Sequence, residues 1–297
     1  MASPRVAGGR RSGHNARNLP AHAPPMSPIR SVQDIAAALC AAGKLAVPKD
    51  VSGPSLAVTR ELIRGGASGL HLVCVPVGGL QADLLIGAGA VSVIETSAVT
   101  LGEHGAAPRF TEAVRNGSLR VLDATCPAIY AGLQAAEKGL PFLPLRGLIG
   151  TDVLRHRSDW KVIDNPFEPG DAIVALRAIQ PDAALFHVPL ADRHGNVFVG
   201  TRRELMLMAH AARRTFVTAE QIVDHDLLDD PRIAAGVLPA IYVTAVALAP
   251  RGAAPLAFRD LYPEDHATMA RYAAAAKTAA GFEDFLQAWL QAESVAA

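Results

Sequence analysis

From residue 44 to residue 249 the chain alternates short apolar runs with amphipathic stretches, and this alternation restricts its fold more than any other feature. Runs such as "LHLVCVPV" have no polar face and are too short for a buried helix, so they read as strands covered on both sides. Strands of that kind belong to parallel sheets, where each step to the next strand needs a crossover connection, usually a helix. The amphipathic stretches supply those helices. The expectation is an α/β fold: an open, doubly wound, mostly parallel sheet with helices on both faces.

The punctuation agrees with this reading. "SVQDIAAALCAAG" opens with Ser31 as an N-cap and stops at Gly43, and "GPSLAVTRELIRGG" carries Pro54 at its start. Further helices are expected at "APRFTEAVRNG", "AIYAGLQAAEKG" and "RELMLMAHAARR", and two closing helices after Pro250, broken at Gly281. Strands are expected at "KLAV", "VSVIE", "LRVLD", "LPFLPL", "AIVALR", "AALFHV", "RTFVTA" and "IYVTAVAL". The stretch from Gly147 to Gly170, with "DNPFEPGD", reads as a long surface excursion.

Composition removes several function classes. The formal net charge is zero and no basic patch interleaves with aromatics, so nothing points to nucleic acid. The longest apolar stretch, Ala234 to Ala249, contains Pro239, Tyr242 and Thr244 and falls short of the ~20 residues a membrane span needs. Cys40, Cys74 and Cys126 form no CxxC pair, which suits a reducing cytoplasm. Residues 1–30 are free of acid and rich in Gly, Pro, Ser and Arg. They have no apolar signal core and read as a disordered leader before a single domain over 31–297; a transit segment or a true start at Met26 are the alternatives.

"ALFHVPLADRHGNV" brings His187, Asp192 and His194 close in sequence. The two histidines are seven apart across a proline and a turn, without a helical i,i+4 pairing or a nearby cysteine, so the stretch reads as a strand running into a tight turn, and no metal site is assigned.

The longer stretch "PDAALFHVPLADRHGNVFVG", followed by a helix and "TFVTAEQIV", resembles the A-subunit pattern of family I CoA-transferases, in which a strand with Asp-x-Ala ends in Ala-Asp-x-x-Gly-Asn. "KGLPFLPLRGLIGTDV", "VIDNPFEPGD" and "TAVALAPRGAAP" resemble the A chain of glutaconate CoA-transferase in the same order, covering roughly residues 31 to 290. The resemblance implies a partner, a homologous B (beta) subunit, with an acyl-CoA and a dicarboxylic or keto acid as substrates. Coenzyme A would be a substrate and not a permanently bound cofactor. It also implies covalent catalysis: a glutamate attacks the thioester, a mixed anhydride and then an enzyme-bound CoA thioester form, and an acid acceptor reverses the steps. That glutamate normally stands in a Ser-Glu-x-Gly context in the B subunit, and this chain has no such string; Glu95 in "VIETSAV" has the wrong neighbours.

Two departures mark the candidate site. The glycine pair that ends the first strand in the family is replaced by Pro48 and Lys49, so a backbone cradle there falls to Ser52 and Gly53. Gly78 and Gly79 remain after the second strand and, with Ser97, complete the expected substrate and CoA contacts, a strand-to-helix turn being the plainer reading of the glycines. In relatives that hydrolyse ring-containing CoA thioesters, the turn at "LDATCPAIYAG" carries an acidic residue; here Cys126 takes its place. It is either a small packed residue or a thiol activated by the helix macrodipole. Glu103, beside His104 in the loop of "TLGEHGAAPRF", is the second catalytic candidate, as a group that positions or protonates substrate. Three functions follow: a transferase A subunit, the A subunit of a related ring-opening hydrolase, or a non-catalytic relative.

Overall fold

The computed structural model describes residues 28–291. The expected leader therefore lies mainly outside the described residues; at its end, Ile29 already pairs with Val246.

The elements follow in the order α1 (Val32–Cys40), β1 (Lys44–Pro48), α2 (Leu56–Arg64), β2 (Leu70–Val75), α3 (Leu80–Gly87), β3 (Val91–Thr96), α4 (Pro108–Arg115), β4 (Arg120–Asp123) and α5 (Cys126–Glu137). A small lobe comes next, with β5 (Phe142–Leu145), α6 (Asp152–His156), β6 (Lys161–Asp164) and β7 (Ala172–Arg177). The chain then returns through β8 (Ala183–Asp192), β9 (Val197–Phe198), α7 (Arg203–Ala211), β10 (Thr215–Val223), β11 (Val237–Leu238), β12 (Ala245–Leu248), α8 (His266–Ala275) and α9 (Ala279–Gln291).

Seven parallel strands form the spine in the order β4-β3-β2-β1-β8-β10-β12, and β9 and β11 add an antiparallel extension beside the end of β8. Successive side chains along each strand point to opposite faces, and in the central strands both faces are buried, as in a sheet covered twice. Leu45, Val47, Leu72, Cys74 and Ile94 pack on the layer of α1 to α4, α8 and α9. Ala46, Val73, Val75, Ala184 and Phe186 face α5, α7 and the lobe.

Chain order reverses between β1 and β8. In an open α/β sheet, the carboxyl ends of the strands flanking such a reversal leave a crevice, the usual place for a ligand. The loops after β1, β3 and β4 all open at that edge.

Three expectations change. "LPFLPL" and "AIVALR" are strands, but they leave the main sheet and pair antiparallel with each other, and β6 adds to the far side of β7 in a separate order β5-β7-β6. Their outer faces are part-exposed, which a strand inside a doubly covered sheet would not tolerate. The 147–170 excursion is structured, holding α6 and β6. The closing helices break at 276–278, before Gly281, because the Thr278 hydroxyl accepts the Gly281 N–H at 3.1 Å and starts α9 there.

"ADRHGN" is a turn tied by Asp192. Its buried carboxylate accepts the amides of His194 (2.8 Å), Asn196 (3.0 Å) and Leu227 (3.0 Å) and the Asn196 side chain (2.8 Å), while His194 points to solvent. His187 is fully buried, with Nδ1 2.8 Å from the Thr218 hydroxyl and Nε2 2.7 Å from Glu220 Oε1. Burial lowers its pKa, opposed by the Glu220 contact.

Candidate active site

The loop leaving β1 is short and strained where it must pass the next strand. Asp50–Ser52 make one 3-10 turn, and Gly53 follows with φ +95. A Cβ at Gly53 would stand 2.5 Å from the His187 carbonyl oxygen and 2.7 Å from the Phe258 ring, so only glycine lets the loop lie against β8. The contact is used: His187 N–H donates to the Gly53 carbonyl at 2.8 Å.

Gly53 thereby fixes Ser52, which is buried and donates its hydroxyl to Glu204 Oε1 at 2.5 Å. Glu204 sits in the first turn of α7, and Lys49 Nζ reaches the same oxygen at 3.7 Å. Burial alone would raise the Glu204 pKa; the Ser52 bond, its own backbone amide and the nearby Lys49 and Arg202 outweigh it and hold the carboxyl below its ordinary value. A charged carboxylate is therefore kept at the switch-point crevice at neutral pH.

Across the crevice, Ser97 follows the end of β3 and β4 leads into α5, where Thr125 caps the helix by accepting Ala128 N–H. Cys126, the first residue of α5, is exposed, and its sulfur lies 3.2 Å from the Ser97 hydroxyl, which also bonds the Pro76 carbonyl at 2.8 Å. Tyr130, one turn further along α5, has its phenol pKa raised, first by burial and then by the negative charge of Glu204.

Ser52, Gly53, Ser97 and Cys126 therefore come to one edge of the sheet. The glycine pair after β2 is used differently. Gly78 donates its amide to Ala98, and a Cβ there would crowd Cys74 and Val99. A Cβ at Gly79 would collide with the Asp50 carboxyl, which sits over the start of α3 and accepts Leu80 N–H at 3.0 and 3.2 Å. The chain's own carboxylate fills the anion position that this helix N-terminus offers. Burial pushes the Asp50 pKa up to about 7, against the Leu80 bond and with help from the charges of Glu264 and Asp83.

Glu103 keeps other company: its carboxylate pairs with His266 Nδ1 at 3.1 Å and lies 4.0 Å from His104 Nε2. Glu95 is buried against Arg157 (2.6 Å) and His71 (3.6 Å), with the Arg157 guanidinium stacked 3.9 Å over Trp160. Sequence reasoning missed Glu204, Asp50 and Tyr130. Glu204 is 152 positions from Ser52, and its only local sign is its place at a helix start, where acids are common.

Residues 53–249 match the model of the coenzyme A transferase family. The A chain of the glutaconate CoA-transferase of Acidaminococcus fermentans is 32% identical over 77% of this chain and 77% of its own length. The chain belongs to the coenzyme A transferase family. The crystal structure of that Acidaminococcus fermentans glutaconate coenzyme A-transferase superimposes with a TM-score of 0.81 at 28% identity, covering 89% of each chain. A second relative, the IpdA subunit of the cholesterol ring-cleaving hydrolase of Rhodococcus jostii, is 30% identical over 79% of this chain and 82% of its own. The open α/β sheet expected from the alternation is thus the sheet of this family.

Proposed function

We propose that this CoA-transferase family chain is the A subunit of a heteromeric enzyme that moves coenzyme A between an acyl-CoA and a dicarboxylic or keto acid, the nucleophilic glutamate coming from a homologous B subunit. The observation that carries the reading is the crevice at the β1/β8 reversal. It holds polar groups suited to position substrate, Ser52 on Glu204 with Lys49 beside them, while the chain has no Ser-Glu-x-Gly glutamate to act as nucleophile.

In that reaction the partner's glutamate attacks the thioester carbonyl and expels CoA thiolate, leaving a mixed anhydride. The thiolate attacks the glutamyl carbonyl of the anhydride, releases the first carboxylate and leaves CoA on the enzyme as a thioester. An acceptor carboxylate then reverses both steps, so the bonds balance without water or a redox partner. Ser52, Gly53 and Ser97 form this chain's contribution to the substrate wall, with Cys126 as a small exposed residue of it. The three unpaired cysteines support a cytoplasmic placement. Among the described residues no helix is long and apolar enough to cross a membrane.

The likeness to the ring-cleaving hydrolase favours a second reading, in which water opens a ring of a cyclic CoA thioester and no acceptor carboxylate takes part. The test is co-purification with the neighbouring gene product and a coupled assay across short dicarboxylic acids and their CoA esters. The transferase reading expects CoA to move only when a carboxylic acid acceptor is present; opening of a cyclic diketone CoA thioester by water, with the thioester intact and no acceptor acid, supports the hydrolase.

A further inference from the structure

We propose that Glu103, His104, Glu264 and His266 form a binding site for one divalent transition-metal ion, zinc fitting best. One ligand atom from each of these four residues can lie within 4.8 Å of all the others. Glu264 Oε1 is 2.6 Å from His104 Nε2 and 3.0 Å from His266 Nδ1, and Glu103 Oε1 is 3.1 Å from that same Nδ1 and 4.0 Å from His104 Nε2. Bonds to zinc of about 2.0–2.2 Å set tetrahedral ligand atoms about 3.3 Å apart, so these separations bracket what an ion would impose.

The hydrogen-bond inventory points the same way. Two carboxylates converge on His266 Nδ1, which carries at most one proton, and one of them, Glu264, also faces the second imidazole. A single divalent cation at the centre satisfies all four donors and neutralises both carboxylates. Two imidazoles with two carboxylates suit zinc, whereas magnesium and calcium prefer all-oxygen shells.

The site also has a frame and an entrance. His104 and Glu264 are largely buried and Glu103 and His266 are exposed, so two ligands are held in place and two close from outside. His104 lines a cavity of about 620 Å³ that also presents Glu112, Arg115 and Lys277, giving an ion a path from solvent. Residues 103–104 belong to the loop after β3 and residues 264–266 to the start of α8, so the ion would staple two segments 160 positions apart. No sequence spacing reveals such a set. The inference is independent of the transferase reading.

The experiment uses the untagged full-length chain, stripped with a chelator and titrated with Zn²⁺ by calorimetry and with Co²⁺ by visible absorption. The expected result is one equivalent bound, unaffected by excess Mg²⁺ or Ca²⁺, with a rise in Tm of roughly 5 °C at a hundredfold excess over Kd. The cobalt complex should show d–d bands without the near-ultraviolet charge-transfer band of a thiolate ligand. His104→Ala should abolish binding. The exposed substitutions Glu103→Gln and His266→Ala, which leave the core untouched, should each weaken it about tenfold or more, in line with the loss of an ordering partner at a metal site. No binding, a thiolate band, or affinity unchanged in His266→Ala and Glu103→Gln would each overturn the proposal.

Discussion

Replacing Asp50 with asparagine should stabilise the chain at alkaline pH and cost it about 1–3 kcal/mol at acid pH. The Asp50 carboxyl is packed on Gly79 and pushed by burial from 3.8 to about 7. Because the folded-state value is raised, the folded chain holds a proton between these two values that the unfolded chain has lost. Stability from this group is complete below about pH 4 and declines as pH rises through 7. Three pH units correspond to about 4 kcal/mol, an upper figure for the cost of keeping the carboxylate charged in place. Asparagine retains an oxygen to accept Leu80 N–H but introduces an amide N–H₂ without an assured partner, which returns about 1–3 kcal/mol. The net gain at pH 8 is therefore about 2 kcal/mol, a Tm rise of roughly 5 °C. Thermal unfolding of both proteins from pH 4.5 to pH 8.5 measures it. A variant less stable than the parent at pH 8 would mean that an ionised Asp50 caps α3 favourably, and the burial account would be wrong.

Three further perturbations test other parts of the structure. Gly53→Ala should cost about 3 kcal/mol, since the residue would hold φ +95 and meet the His187 carbonyl at 2.5 Å; denaturant titration reads the loss, and an unchanged midpoint would refute the close-approach reading. Arg157→Ala should cost about 3–5 kcal/mol at pH 7 by leaving Glu95 charged and buried. Against burial, the His71 contact and then the Arg157 charge hold the Glu95 pKa down, so the stability of this group is present above the unfolded value and lost as pH falls through the lowered one. The variant's deficit should accordingly shrink in acid, and adding Glu95→Gln should restore most of the loss. Cys126→Ser should keep activity of the reconstituted complex within about threefold, because serine fills the same first position of α5, leaves the Thr125 cap in place and can keep the contact with the Ser97 hydroxyl; rapid inactivation of the parent by iodoacetamide at neutral pH would argue instead for a reactive thiolate.

The main sheet was legible because strands buried on both faces are continuous apolar runs, and β1, β2, β3, β8, β10 and β12 all fall on the runs expected. The lobe was not. "LPFLPL" and "AIVALR" carry the same apolar signature, and only their pairing shows that they are antiparallel and half covered. β6 is hidden among Asn165, Pro166 and Gly170, whose turn character conceals a four-residue strand. At the candidate site, the placing of Ser52, Gly53, Ser97 and Cys126 at one edge of the sheet was legible because they follow strand ends. Glu204, which receives the Ser52 hydroxyl, and His266 and Glu264, which surround Glu103, lie more than 150 positions away and are brought in by the return of the chain and by its last helices. Pro48 and Lys49 stand in place of the family's glycine pair. In the folded chain Lys49 pairs with Glu204, and the neighbouring Asp50 occupies the start of α3.

The central claim is that this chain shapes the reaction crevice while its partner supplies the nucleophile. The complex, incubated with an acyl-CoA donor and reduced with borohydride to convert the enzyme-bound thioester to an alcohol, should show a mass change on a glutamate of the partner chain alone, with this chain's intact mass unaltered. An acyl or CoA adduct on Cys126, or CoA transfer by this chain without a partner, would contradict the account.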